Sequence, residues 1–251
     1  MVISKDFILN GITNTSKDVI IVSFENDILT SVGVPFSRSV SSSGEYSSNN
    51  PLFKKEEKEP DEIVLNFMYI DKHYIPQQWT ESKIIDIKEW IVTEDFIPFI
   101  SGDNPNYVTY MMCTKIENKM TPEMLGVLEC TFKPFSHYKY KKYSKKTTLS
   151  GVSKTFTINN PSIEVYKPVI VLTNLGNTST VNKVQDFEIT GLANGETVII
   201  DNLMKTVLNS DDENKFSLCN RTWVELKQGD NNLTINGNCE IEILCEFPVL
   251  L

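Results

Sequence analysis

The first residues that could do chemistry are two carboxylates, Glu240 and Glu242, at i and i+2 in "CEIEILCEF". On a strand that spacing puts both on one face. A glycosidase needs such a pair roughly 5–10 Å apart across a cleft, one acting as acid and the other as base or nucleophile. Here Ile241, Ile243 and Cys245 alternate with them, as on any half-exposed strand, so the pair reads as a solvated strand face. The acidic run Asp211, Asp212, Glu213 lacks the spaced ligands and central glycine of an EF-hand loop; it reads as a solvated turn. Two histidines, His73 and His137, are too few for most metal sites or triads, and each reads as an ordinary surface or half-buried side chain. No H-E-x-x-H, G-x-S-x-G, Walker A or G-x-G-x-x-G run occurs. The five cysteines, Cys113, Cys130, Cys219, Cys239 and Cys245, are odd in number and include no C-x-x-C pair. A zinc site or disulfide framework is therefore unsupported. Cys113, Cys130 and Cys245 sit in strand-like text and are expected to be buried thiols of a reducing compartment. The sequence predicts no catalytic residue, no metal site and no cofactor.

Binding chemistry is also sparse. The stretch "HYKYKKYSKKTTLSG" interleaves Lys139, Lys141, Lys142, Lys145 and Lys146 with tyrosines, the right residue types for a nucleic-acid or acidic-partner patch. The net charge of the chain is −9, which disfavours duplex binding by phosphate neutralisation. The stretch reads instead as a solvated strand or linker. The N-terminus "MVISKDFILNG" lacks a basic region followed by a long apolar one, and no run approaches a membrane span. The expectation is a soluble protein made without Sec export.

A chain of 251 residues, 40% hydrophobic and 23% charged, can bury a core as two small domains or one large β domain. Strand text dominates. "DVIIVSF", "EIVLNFMYI", "NYVTYMMCTKI" and "GVLECTFKPF" precede residue 140; "KTFTINN", "YKPVIVLTNL", "DFEITGL", "ETVIIDNL", "TWVELKQG" and "NLTINGNCEIEILCEF" follow it. The later runs recur at the spacing of a sandwich or barrel. Asn194-Gly195 predicts a hairpin between about Phe187–Leu192 and Thr197–Asp201. Residues 37–62 are polar and too long for a tight hairpin; they read as a functional loop or an arm that orders on assembly. The domain boundary falls near residue 146.

One helix interrupts the strands. Thr80 is its expected N-cap, with Glu81 in the first turn. Ile84, Ile87 and Ile91 form an apolar stripe that Trp90 flanks, and the helix should end near Val92. Such a helix packs on a sheet or closes a barrel end. Ile85 falls off the stripe, which suggests a second buried surface of the kind an oligomer supplies. "DFIPFISGD" follows as an edge strand broken by Pro98.

The ordered series "DFILNGI", "IIDIKEWI", "PFISGDNPNYVTYMMCTKIENK", "GVLECTFKPFSHYKY", "YKPVIVLTNLGN", "FEITGLANGETVIID" and "WVELKQGDNNLTI" resembles the distal tail protein (Dit) family of long, non-contractile phage tails. The resemblance covers nearly the whole chain. It implies a mainly β protein: residues 1–145 as a ring-forming belt domain, a β-barrel or sheet with one helix, and residues 146–251 as a galectin-like β-sandwich. It further implies a structural virion protein forming a homo-oligomeric ring, a hexamer, at the distal tail tip. The ring joins the tail tube protein to the tail-associated hub or lysin protein and to receptor-binding or baseplate proteins. Assembly is expected in the bacterial host cytoplasm, with no specific nucleic acid and no membrane as partner. Ile85, Trp90, Phe96 and Phe99 are the expected oligomer-interface residues. An acidic ring lumen would repel the passing genome; a basic lumen in the assembled ring would refute that.

Two departures matter. The loop "SSSGEYSSNNPLFKK" replaces the Gly-Arg-rich loop often seen in the family. Galectins bind sugar through a set that includes His. Here Arg221, Trp223 and Glu225 are expected on one strand face, but no His occurs in the second half, so Trp223 reads as core-facing. The rival reading is a non-catalytic carbohydrate-binding adhesin for the host cell wall, with Tyr166 and Trp223 as its glycan contacts. A cell-wall hydrolase, acting through Glu240 and Glu242, is the weakest of the three.

Overall fold

The computed structural model describes residues 6–22, 36–42 and 53–250. The chain is mainly β, and it divides into two compact units, Met1–Lys139 with Leu250–Leu251, and Tyr140–Val249.

The first unit starts with a hairpin of β1 (Phe7–Leu9) and β2 (Ile12–Thr13), in which Leu9 pairs with Ile12. Asn10 and Gly11 between them both have positive φ, 51° and 73°. That is the geometry in which an Asn-Gly turn matches the twist of its strands. A 3-10 turn, Asn14–Lys17, leads into β3 (Val19–Val22). The strands β4 (Phe36–Ser42) and β5 (Phe53–Pro60) pair with each other as a two-stranded sheet. So part of the polar segment expected as a loop is a paired hairpin; its remainder lies outside the described residues. After β6 (Ile63–Tyr69) come the helix α1 (Glu81–Ile91), β7 (Ile97–Ser101), β8 (Tyr107–Met120) and β9 (Gly126–Pro134). The main sheet runs β2-β1-β7-β8-β9-β6-β3, antiparallel throughout.

Its two terminal strands are adjacent in sequence, joined through the 3-10 turn, so the sheet curls until its ends meet. Asn14 holds that seam. Its buried side chain accepts from the Phe7 amide at 3.0 Å and donates to the Val19 carbonyl at 2.9 Å, tying β1 to β3.

The helix covers the inside of this curl. Thr80 caps it, its hydroxyl accepting from the Lys83 amide at 3.2 Å. The buried face is Ile84, Ile87, Trp90 and Ile91. Trp90 packs 6.2 Å from Phe7 and 6.3 Å from Phe67, and its indole N–H donates to the Leu9 carbonyl at 2.9 Å. On the solvent side Asp86 pairs with Lys17 and Lys83. Just before the helix, Trp79 donates through its backbone to Met124 and through its indole to Gly126, clasping the tip of the β8–β9 hairpin.

One strand differs from expectation. β7 is not an edge: β1 pairs on one side and β8 on the other. Pro98 is tolerated because β1 turns away at Asn10, whose amide donates to the Pro98 carbonyl at 2.9 Å. A strand residue's N and O face the same neighbour, so the missing N–H lies where that ladder ends.

The second unit is a two-sheet sandwich. Its strands are β10 (Lys139–Ser150), β11 (Lys154–Asn160), β12 (Val169–Asn174), β13 (Asn182–Val184), β14 (Phe187–Ile189), β15 (Thr197–Asp201), β16 (Thr206–Asn209), β17 (Gly229–Asn236) and β18 (Asn238–Val249). One sheet is β16-β15-β12-β18-β10 and the other β11-β17-β13-β14. Ile170, Leu172, Val198, Ile200, Ile241 and Ile243 on the first face Ile158, Val184, Phe187, Leu233 and Ile235 on the second. The predicted hairpin across Asn194-Gly195 is absent: β14 and β15 lie in different sheets. The turn is closed by Glu196 N to Ala193 O at 3.1 Å, with a positive φ at Gly195 alone of its two central residues. That is a type II turn, whose twist does not suit a hairpin. The long run from Asn232 likewise breaks at Gly237 (φ 125°), where the chain passes from β17 to β18 and changes sheets.

Trp90→Ala should destabilise the first unit by about 3–5 kcal/mol, from the lost ring and its cavity. Trp90→Phe should cost less, about 1–3 kcal/mol, by leaving the Leu9 carbonyl without its donor. Chemical denaturation of the two variants checks the order. At the Gly195 turn, the Ala193 amide and then Lys215 hold the Glu196 carboxyl below its usual range. A depressed carboxylate stabilises above its unfolded pKa, about 4.3, and that stability is lost as pH falls through the unfolded and then the folded value. Glu196→Gln should therefore flatten the acid limb of a stability–pH curve while leaving its shape above pH ~6 unchanged.

Candidate functional site

Several exposed apolar side chains of the first unit lie on α1, in the segment that follows it and just after β9. Ile85 lies on the helix face opposite the core and Val92 is the extended C-cap residue just past the helix; they are 49% and 57% exposed. Phe96 follows in the loop, and Phe135 lies just after β9, 60% exposed. The two rings meet edge to face at 5.3 Å, and the Phe135 amide donates to the Tyr110 carbonyl at 2.8 Å. Exposed aromatic pairs of this kind mark contact surfaces more often than isolated aliphatic residues do.

Of the four expected interface residues, Ile85 and Phe96 are exposed. Trp90 is not: it is buried, with its ring packed on Phe7 and Phe67 and its N–H bonded to the Leu9 carbonyl. The position that flanks the stripe on a helical wheel is drawn inward because the sheet wraps around it. Phe99 is half-buried against Phe7 at 5.8 Å. Val92 and Phe135 are also exposed and were not among the expected residues; the signal for them is an apolar residue beside a helix end and a strand end.

The two candidate glycan contacts are anchored in the second unit. The Tyr166 hydroxyl accepts from the Glu246 amide at 2.8 Å, and its ring lies 4.8 Å from Phe247. Trp223 stacks 6.1 Å from Phe216 and lies 6.0 Å from Phe187, half-buried on the core. Arg221, Trp223 and Glu225 do not share a strand face, because residues 220–225 form no strand and Arg221 takes a positive φ of 63°. The Arg221 guanidinium sits over Phe216 at 5.1 Å instead.

The acidic pair is engaged on the sheet surface. Glu240 pairs with Lys146 at 2.7 Å, Glu242 accepts from the Ser144 hydroxyl at 2.7 Å, and Glu246 pairs with Lys142 at 3.2 Å. The Lys-Tyr stretch is thus the strand β10, and two of its lysines answer carboxylates of β18. Glu213 of the acidic turn pairs with Lys215 at 3.0 Å. Among the described residues no group of three His, Cys, Asp or Glu side chains is placed to hold a metal ion, and no helix is long and apolar enough to cross a membrane. All five cysteines are free; Cys130, Cys239 and Cys245 are buried, while Cys113 and Cys219 are half-buried.

Comparison with known proteins defines the class. The family described as "Phage tail protein N-terminal domain" matches residues 2–134, and "Phage tail C-terminal domain" matches residues 137–245. The chain belongs to this phage tail family. A curated relative, the SPbeta prophage-derived uncharacterized protein YomH of Bacillus subtilis strain 168, is 23% identical over 98% of each chain. Among solved structures, the Dit protein of phage SPP1, described as a paradigm of hub adsorption apparatus in phages infecting Gram-positive hosts, superposes with a TM-score of 0.62. That match is 12% identical and covers 98% of this chain and 100% of that one. A chain of the phage P2 baseplate in its activated conformation with Ca matches with a TM-score of 0.50 at 10% identity, over 92% and 91% of the two chains. The fold is therefore that of Dit proteins, as the sequence resemblance implied.

If the Glu240–Glu242 pair is only a paired strand face, the double Glu→Gln variant should match the wild type in a cell-wall clearing assay, with no lytic zone from either. Its melting temperature should shift slightly, and less at high salt, since exposed ion pairs are screened.

Proposed function

We propose that the chain builds a homo-oligomeric ring, a hexamer, at the distal tip of a long phage tail, joining the tail tube to the hub and receptor-binding apparatus. The first unit is the ring-forming belt, and the second a galectin-like sandwich. What supports this reading is a match over nearly the whole chain: both halves match phage tail families, and one fold relative, described as a paradigm of hub adsorption apparatus, covers 98% of the chain. The apolar surface of Ile85, Val92, Phe96 and Phe135 is the subunit contact, because a ring needs a patch that a second copy covers. The rival adhesin reading draws less support, since Tyr166 and Trp223 are spent on packing and on a backbone hydrogen bond.

Light scattering coupled to size exclusion tests the ring. The expected mass is near six times 28.6 kDa. Val92→Asp with Phe135→Ser should weaken assembly by about 10-fold or more, the scale of losing an aromatic hot spot. Circular dichroism should remain unchanged. A double variant that assembles like the wild type would place the contact elsewhere.

A further inference from the structure

β11 is the terminal strand of its sheet: β17 pairs on one side and, among the described residues, no strand pairs on the other. The direction of its backbone groups follows from β17. There Thr234 turns its carbonyl to the Gln185 amide at 2.8 Å and its own amide to the Gln185 side chain at 3.2 Å, toward β13. Thr155 stands opposite Thr234 on β11. Both members of such a pair turn their backbone groups away from each other, so Thr155 points its N–H and C=O at the open side. By alternation Thr157 and Asn159 do the same. Among the described residues, nothing in the protein bonds to the backbone N–H or C=O of Thr155, Thr157 or Asn159.

Edge strands are ordinarily shielded by proline, by charged side chains or by bulges. β11 lacks these devices. KTFTINN holds no proline, and its register against β17 is unbroken. Its one charged residue, Lys154, stands at the strand end with its ammonium on the Thr147 hydroxyl at 3.0 Å. The exposed side chains lean back over β17: Thr155 meets Thr234 at 2.8 Å, Thr157 donates to Asn232 at 2.7 Å, and Asn159 donates to Asp230 at 2.7 Å. They are drawn away from the edge, whose alternating donors and acceptors match another extended strand.

We propose that β11 pairs antiparallel with β11 of a second copy, about a two-fold axis at Thr157. In that register Thr157 faces its own counterpart, Thr155 faces Asn159 of the second copy, and Phe156 faces Ile158. The polar residues continue one face of the sheet, and half-buried Phe156 gains an apolar neighbour on the other. No like charges meet, because Lys154 stands opposite Asn160. The flanks fit the same occupant. Val152 and Ile163, 70% and 66% exposed, lie on either side of β11 at nearly equal distances along the chain from Thr157. The two-fold brings Val152 of each copy toward Ile163 of the other, which gives both apolar side chains cover. An edge of seven residues is about 24 Å long, a smaller contact than the ~1,200 Å² of a stable interface, so the pairing depends on concentration. It lies wholly in the second unit and does not rest on the ring.

The test is hydrogen–deuterium exchange of the full-length protein at low and high concentration, read by mass spectrometry. The expected result is that the peptide spanning 154–160 gains protection at the Thr155, Thr157 and Asn159 amides as concentration rises. Thr157→Lys and Thr157→Glu each set like charges face to face across the axis, so each alone should lose that gain. An equimolar mixture of the two variants should restore it, because opposite charges then meet. Exchange of this peptide that is the same at all concentrations would overturn the proposal and leave the edge to a strand of another protein. Protection that persists in either single variant, or fails to return in the mixture, would overturn it too. Concentration-dependent protection confined to residues 85–96 would support the ring and refute the β11 pairing. The wild-type titration alone decides if a variant does not fold.

Discussion

A sheet with both faces in water would leave the first unit without a core, and the contact that prevents this is small. Asn14 ties β1 to β3 through two buried hydrogen bonds, so the two ends of the sheet are held together. Once the sheet is curled, its inner face has one side that strands cannot cover, and α1 fills it with Ile84, Ile87, Trp90 and Ile91. The indole bond from Trp90 to Leu9 returns the helix to the strand that Asn14 holds. Seam and helix therefore support each other. Phe7 and Leu9 are buried in one cluster with the helix residues Ile87 and Trp90.

The second unit solves a different problem. Its two sheets need chain crossings, and small or polar residues make them. At Gly237 any Cβ would meet the Asn182 side-chain oxygen at 2.3 Å, so only glycine fits where β17 becomes β18. Asn182 in turn donates to buried Asn174, whose amide reaches the Leu192 carbonyl at 2.8 Å at the approach to the Gly195 turn. The two crossings are thus joined through the Asn182–Asn174 side-chain bond, although the Asn182 side-chain oxygen is itself buried without a hydrogen-bond partner. The orphaned oxygen costs stability, and the remaining bonds fix one arrangement of the two crossings.

Local chemistry made much of this readable. The helix, its Thr80 cap and its Ile stripe follow from period and capping, and KTFTINN is β11 residue for residue. What could not be read is what tertiary context decides. A proline marks an edge only if its neighbour continues; at Pro98 the neighbour stops. Asn-Gly marks a hairpin only in the primed turn, which Asn10-Gly11 adopts and Asn194-Gly195 does not. Alternation around Trp223 implied a strand, but Arg221 breaks the extended conformation. Of the candidate residues, Ile85 was legible as an apolar side chain off the core stripe of the helix. Trp90 was misplaced because one dimension cannot tell a flank that faces water from one the sheet wraps.

The β8–β9 pair has a mechanical consequence. Its two strands share nine register pairs, and Trp79 clasps the far end at Met124 and Gly126. A pull along the strand axis loads those cross-strand bonds side by side, so they must fail together. A pull across the sheet would peel them one at a time. The hairpin is stiff along its length and weak across it, so the direction from which a neighbour tugs decides how much tension this unit transmits before it yields.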